Sequence, residues 1–252
     1  MKNAFRCPHL KTKCTKRSQH RDIGDLPFGV CSVWHRPDFT DHPVPHIICP
    51  HRLGTDHALA EALSFVKSGA EKRLLKGIKM KTLGTLDYVV VSSDTARENI
   101  LDFAGVEIMA MSTTNTGKII RAMLDGLEGK LGETYNYGIN YRQVLSRMVV
   151  QLCAKGTAFS MWGKKTIWVI QDVLYEYMQE VYDLRLSADV RDADPIILLI
   201  YKLVDKGDRF DLELSARRSG QPRHFSDLLY TIDVPTKDDA EAILLKKING
   251  KD

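Results

Sequence analysis

Four of the five cysteines and seven of the eight histidines in this 252-residue chain lie within its first 57 positions. Cys7, Cys14, Cys31 and Cys49 fall in a stretch with almost no periodic apolar pattern. It is punctuated by prolines and by two Cys-Pro-His triplets, Cys7-Pro8-His9 and Cys49-Pro50-His51. Such a segment cannot bury enough apolar surface to fold alone, so a metal clip is the expected source of its order. The intervals of six, sixteen and seventeen residues are long and irregular, unlike the paired knuckles of a zinc finger. Thiolate coordination accepts zinc or iron, and His9, His35 or His51 could replace one sulfur. Cys153, by contrast, sits in the apolar stripe of a predicted helix and reads as a small core residue. The chain is thus expected to divide into a metal-binding module, residues 1–53, and a larger domain, residues 54–252.

The charge follows the same division. Residues 1–52 carry nine Lys or Arg against four Asp, whereas the rest carries 27 basic and 28 acidic residues. A cationic module suits phosphate backbones, with Lys11, Lys13, Lys16, Arg17 and Arg21 as candidate contacts. No apolar run is long enough to span a bilayer; the longest, Ile196 to Val204, is broken by Lys202. The N-terminal residues lack the apolar segment of a secretory signal. The expectation is a cytoplasmic, prokaryotic protein with no membrane partner, in a compartment where thiols stay reduced.

Beyond the module, the apolar spacing of Leu59, Leu63, Val66, Leu74, Leu75 and Ile78 predicts one helix from Asp56 to Met80, capped by Thr55 or Asp56. Leu86 to Val91 reads as a strand, Ser92 to Thr95 as a polar turn, and Gly105 to Met111 as a second strand. Helices are predicted over 118–131, 139–155 and 172–182, with Ile139, Val144, Met148 and Leu152 as the stripe of the second. Strands are predicted at Lys164–Ile170, Ile196–Val204 and Phe210–Ala216, and helical segments near 224–230 and 236–248. Strands interleaved with long helices give an α/β or α+β domain around one central mixed sheet.

Two neighbouring strands each carry a carboxylate, Asp87 and Glu107, with nineteen residues between them. Hairpin pairing would bring these together, and a divalent cation is the simplest way to keep both ionised. Magnesium held there could ligate a phosphodiester, activate a water and stabilise the leaving oxygen. Asp94 is a second candidate for the aspartate, although Asp87 stands at the start of its strand. Glu61, on the preceding helix, is a candidate auxiliary ligand.

The run Leu86-Asp87-Tyr88-Val89-Val90-Val91, then Asp102-Phe103-Ala104-Gly105-Val106-Glu107-Ile108, then Thr113-Thr114-Asn115-Thr116-Gly117, resembles the NotI-type restriction endonucleases, a branch of the PD-(D/E)xK nucleases. Asn136 to Arg142, Trp162-Gly163-Lys164-Lys165 and Trp168 to Asp172 extend the likeness, which covers roughly residues 5–185. The resemblance implies a PD-(D/E)xK-like sheet flanked by helices and an N-terminal tetracysteine site, Cys7, Cys14, Cys31 and Cys49, holding structural Fe or Zn. It implies catalysis with Mg2+ by Asp87 and Glu107. It also places Met109 where most of these nucleases have Lys and the NotI branch has Gln. A thioether cannot orient or polarise water as an ammonium or amide can, so another residue such as Lys118 would have to reach in, or two metals and solvent would have to suffice.

The activity so implied is type II restriction: hydrolysis of double-stranded DNA at a specific, palindromic, GC-rich site by a homodimer whose twofold axis matches that of the DNA. Candidate DNA contacts are Lys118 and Arg121, Asn136, Asn140, Arg142 and Arg147, and Arg217, Arg218 and Arg223. Two competing readings remain open at this point. One is a non-catalytic sequence-specific DNA-binding protein, a regulator or decayed nuclease in which Met109 marks lost chemistry. The other is a nuclease for repair or for modified DNA.

Overall fold

A computed structural model describes residues 5–17, 26–67, 71–96, 98–130, 134–182, 184, 186–226 and 237. The most buried strand is β6 (Lys165–Gln171), in which every residue after Lys165 is buried. Its continuous run Ile167-Trp168-Val169-Ile170 suits a strand covered on both faces. It lies parallel to both neighbours, β5 (Ile100–Met109) and β7 (Ile196–Asp205). Antiparallel strands complete the sheet: β3 (Glu71–Met80) and β4 (Gly84–Ser93) beyond β5, and β8 (Phe210–Gly220) beyond β7. The order is β3-β4-β5-β6-β7-β8, a mixed sheet as expected.

The parallel crossovers run through α3 (Thr116–Leu127), α4 (Tyr141–Met161) and α5 (Asp172–Val181). All three pack on one face, where Met148, Leu152, Leu174 and Met178 meet Trp168, Ile170 and Leu198. The opposite face is covered by α1 (Pro50–Leu53) and α2 (Asp56–Leu63), with Leu53, Ala58 and Leu59 over Val106, Ile167 and Leu199. Among the described residues no helix is long and apolar enough to cross a membrane.

The single helix expected over residues 56–80 is not formed. Thr55 does cap α2, accepting the N–H of Ala58 at 3.3 Å, but the helix ends at Leu63 and residues 71–80 form the edge strand β3. Gly77 has a φ of +66°, which no helix accommodates. Lys72, Arg73, Lys76 and Lys79 read equally well as a helix's polar face or as charges guarding a sheet edge. Of the C-terminal helical segments, α6 (Pro222–Ser226) is formed; the reading over 236–248 lies outside the described residues.

Among the described residues, the cysteine-bearing segment forms no core of its own and borrows that of the sheet. Phe28, Val33 and Ile48 join the cluster on the α4 face, while Ile47 and Leu53 join the other. Its hairpin, β1 (Ser32–His35) with β2 (Val44–Ile47), is tied to the ends of β5 and β6. Met111 N donates to Ile47 O at 2.9 Å, Ile47 N to Gln171 Oε1 at 2.7 Å, and Gln171 Nε2 to Pro45 O at 2.6 Å. Each fully buried Ile or Leu contributes about 1.5–3 kcal/mol, so the sheet supplies the order that the segment's own sequence does not.

Candidate active site

Antiparallel pairing of β4 with β5 sets Val89 against Gly105 and Tyr88 against Val106. The ladder pairing ends there, one step short of Asp87 and Glu107. The ladder is distorted here. Asp87 Oδ2 accepts the N–H of Ile108 at 2.9 Å, and Gly77, across from Asp87 on the β3 side, holds the left-handed φ already noted. Asp87 is exposed, whereas Glu107 is only 4% exposed. Burial pushes the Glu107 carboxyl up to about 7, and the charge of Asp87 pushes the same way against the lowering effect of Lys155. A buried carboxyl whose ionisation is disfavoured, beside a second, exposed carboxylate, suits a shared cation, and Mg2+ characteristically needs only one or two protein carboxylates, completing its shell with water and phosphate.

The cation in that environment comes from α4. Lys155, 3% exposed, donates to Glu107 Oε1 at 2.6 Å, to Thr85 O at 3.1 Å and to Gln151 Oε1 at 3.1 Å. All three ammonium hydrogens therefore have acceptors. Two turns earlier along the same stripe, Arg147 reaches Met109, with Nη2 3.9 Å from Sδ. Arg147, Gln151 and Lys155 recur at intervals of four and so line one side of the helix. Sequence reasoning missed Lys155 and Gln151. The signal was present: Val144, Met148, Leu152, Lys155 and Phe159 form one helical row, and all five are buried. A lysine in such a row must find an anion or an acceptor inside the protein.

The remaining expected site residues divide into groups. Glu61 is not brought to the carboxylate pair: it sits on α2 and holds Arg217 of β8, with Nε 2.6 Å from Oε1. That places it three strands from β5, so it is no auxiliary ligand to Asp87 and Glu107. Asp94 accepts from Glu98 N and Asn99 Nδ2 in the turn after β4, away from Glu107. Thr113 bridges Ile139, Thr114 N donates to Gly138 O, and Asn140 N donates to Ser112 O. These bonds gather Lys118, Asn136, Asn140, Arg142 and Arg147 around the end of β5 beyond Met109. Lys118 and Arg142 are exposed there. Arg121 pairs with Asp125 one turn on, at 3.3 Å. Arg217, Arg218 and Arg223 belong to the far edge, on β8 and α6; Arg218 lies 5.8 Å from the ring centroid of Tyr175.

All four N-terminal cysteines line one cavity of about 20 Å³, with Lys16 and His51 also on its wall. Cys7 and Cys14 flank a tight turn in which Cys7 N donates to Thr12 O, Cys14 N to Phe5 O, and Leu10 N to Cys7 Sγ. Cys31 O accepts from both Ile48 N and Cys49 N. The thiol of Cys31 bonds to Cys49, which draws the Cys49 thiol down to about 6 and raises that of Cys31. Even so, among the described residues no three His, Cys, Asp or Glu side chains stand at metal-holding geometry. His35 packs edge-on against His46, and His9 and Cys153 also lie outside that cavity wall. Lys16 is not turned outward to a phosphate: its ammonium donates to Ile48 O at 2.8 Å and lies 4.3 Å from the Phe28 ring centroid. Arg21 lies outside the described residues.

A family model described as restriction endonuclease NotI matches residues 1–212. No curated protein matches the chain. The chain therefore belongs to the NotI restriction endonuclease family.

Proposed function

We propose that this member of the NotI restriction endonuclease family hydrolyses double-stranded DNA at a specific palindromic, GC-rich site, with Mg2+ held between Asp87 and Glu107. The observation that carries the reading is the closeness of these two carboxylates where the β4–β5 pairing ends: Asp87 Oδ2 accepts the N–H of Ile108, next to Glu107, and its charge acts on the Glu107 carboxyl, one residue exposed and the other buried, within the matched region. Bound Mg2+ would lower the pKa of a water and neutralise charge building on the scissile phosphate. Asp87, an exposed residue, is fixed for such a role by the Ile108 N–H. Glu107 is fixed by Lys155. Lys118 and Arg142 at the end of β5 would position the phosphate backbone, and Asn136 and Asn140 would read base edges.

A palindromic target calls for a twofold dimer. The four cysteines are proposed to hold structural Fe or Zn. Their convergence on one small cavity supports that donor set, and binding would draw the four sulfurs together.

Incubating the protein with phage DNA of known sequence in Mg2+ buffer tests the proposal. Discrete fragments are expected, and Asp87→Ala and Glu107→Ala should still bind DNA in Ca2+ but not cut it. A smear, or uncut DNA across several divalent ions, would refute it. Met109 favours a second reading, a nuclease that has become a binding protein. Tight sequence-specific binding without cutting, unchanged by Asp87→Ala, would select it.

A further inference from the structure

We propose that Lys155 is a catalytic residue: the ammonium that orients the attacking water, supplied by α4 because the strand position two residues after Glu107 is Met109. The inference rests on the reading of Asp87 and Glu107 as the cation-holding pair.

Three observations carry it. The first is position. Lys155 touches the carboxylate that would face the cation, and through Thr85 O it also touches the strand that carries Asp87, two residues away. The ammonium therefore bridges both motif strands at the level of the carboxylate pair. The second is orientation. Thr85 O and Gln151 Oε1 are neutral acceptors that hold two of the three hydrogens, so the third is aimed along Glu107. That third hydrogen is held by Glu107 Oε1 at 2.6 Å, and it is the one that passes to a water beside the carboxylate once a cation draws on that oxygen. The third is substitution of chemistry. Met109 is buried against Arg147 and has no donor, whereas the helix passing above it carries Arg147, Gln151 and Lys155 on one side.

A counter-ion role alone explains less. Replacing a buried ion pair with apolar residues of similar volume is often neutral or stabilising, so stability gives no reason to keep lysine in a row otherwise filled by Val144, Met148, Leu152 and Phe159. Function does.

In the step proposed, a water oxygen forms the new bond to phosphorus and the P–O3′ bond breaks with its electron pair on O3′. One water proton passes to solvent and O3′ takes one from solvent, leaving a 5′-phosphate and a 3′-hydroxyl. Lys155 stays protonated throughout, donating a hydrogen bond to the incoming oxygen.

The test compares wild type, Lys155→Met, Lys155→Arg and the relocation variant Lys155→Met with Met109→Lys. Each is assayed for Mg2+-dependent single-turnover cleavage, for Ca2+-supported DNA binding and for thermal unfolding. Lys155→Met should lose about 10²-fold or more in cleavage while binding DNA within about 3-fold of wild type. Lys155→Arg should fall between, because a planar guanidinium cannot reproduce the three-way ammonium geometry. The relocation variant, which keeps a cation beside Glu107 and so protects the fold, should recover at least about tenfold over Lys155→Met. Cleavage by folded Lys155→Met within about 3-fold of wild type would overturn the proposal, as would a folded, DNA-binding relocation variant no more active than Lys155→Met. Should Lys155→Met fail to fold, the relocation variant is judged against wild type: cleavage within about tenfold supports the proposal, and a folded but inactive protein overturns it. Wild-type protein that leaves DNA uncut would refute the nuclease reading itself, and this inference with it.

Discussion

Gly105→Val offers a direct check on how α4 is seated over the carboxylate pair. On strand propensity alone the change is favourable, by about 1 kcal/mol for a β-branched residue, and restricting the unfolded chain adds up to about 1 kcal/mol. The structure gives the opposite sign. A Cβ at position 105 would lie 2.7 Å from Phe159 Cζ and 3.2 and 3.4 Å from its two Cε atoms. Carbon atoms prefer about 3.5–4.0 Å. Phe159 has little room to yield: it is fully buried, with the rings of Phe103 and Trp162 at centroid distances of 5.9 and 5.2 Å. Overpacking costs about 1–3 kcal/mol, and valine adds two methyl groups beyond the β-carbon, taking the penalty to the upper end or past it. After the favourable terms, a net loss of about 2 kcal/mol is expected, or about 4–8 °C in Tm for a chain of this size. Urea unfolding at fixed m-value measures it. Phe159 is one turn beyond Lys155, so displacing the ring also lifts the ammonium from Glu107, and cleavage should fall further than the folded fraction does. Phe159→Leu should partly rescue Gly105→Val, with a coupling energy of at least about 1 kcal/mol. A Gly105→Val protein as stable as wild type would refute this account of the helix–sheet contact.

Three further outcomes are expected. His46 is buried with Nδ1 donating to Val44 O and Nε2 accepting from the Tyr141 hydroxyl, and burial lowers its pKa to about 4. The unfolded chain takes that proton near pH 6.5, so this contribution is complete above pH 6.5 and falls by up to about 3 kcal/mol as pH drops toward 4. His46→Asn should flatten that part of the stability–pH curve measured by urea midpoints. Lys118→Ala and Arg142→Ala should each weaken Ca2+-supported DNA binding and reduce the slope of log K against log salt by about 1, whereas Arg217→Ala, whose guanidinium is held by Glu61, should leave the slope unchanged. Cys49→Ser should remove most of the Fe or Zn found by elemental analysis of purified protein and lower Tm; unchanged metal content would refute the tetracysteine assignment.

Much of the architecture was legible because its strongest signals are local. The unbroken apolar run of β6 and the 3.6-residue stripe of α4 each declare a buried element whatever surrounds them. The strand β3 did not declare itself, since an edge strand needs little apolar surface and its lysines serve two patterns equally well. Asp87 and Glu107 were legible as a pair because strand, turn and strand lie in sequence, and contiguous strands commonly pair. Glu61 was misplaced for the converse reason. Its partner, Arg217, is 156 residues away on a strand whose position in the sheet no local pattern fixes.

Lys155 shows how such a long-range contact can still be inferred. A polar residue in a buried helical row constrains the fold as strongly as the apolar residues beside it, because an ammonium taken from water must meet acceptors at its destination. The helix leads directly into β6, which lies beside β5, so the surface beneath α4 must include β5 or its neighbours. On β5 the carboxylate available to such a row is Glu107. The row and the strand thus predict each other. In this chain the third position of the strand motif has a thioether, and the helix packed above it provides the charge. That division of labour accounts for Met109 and the burial of Lys155 with a single arrangement of side chains.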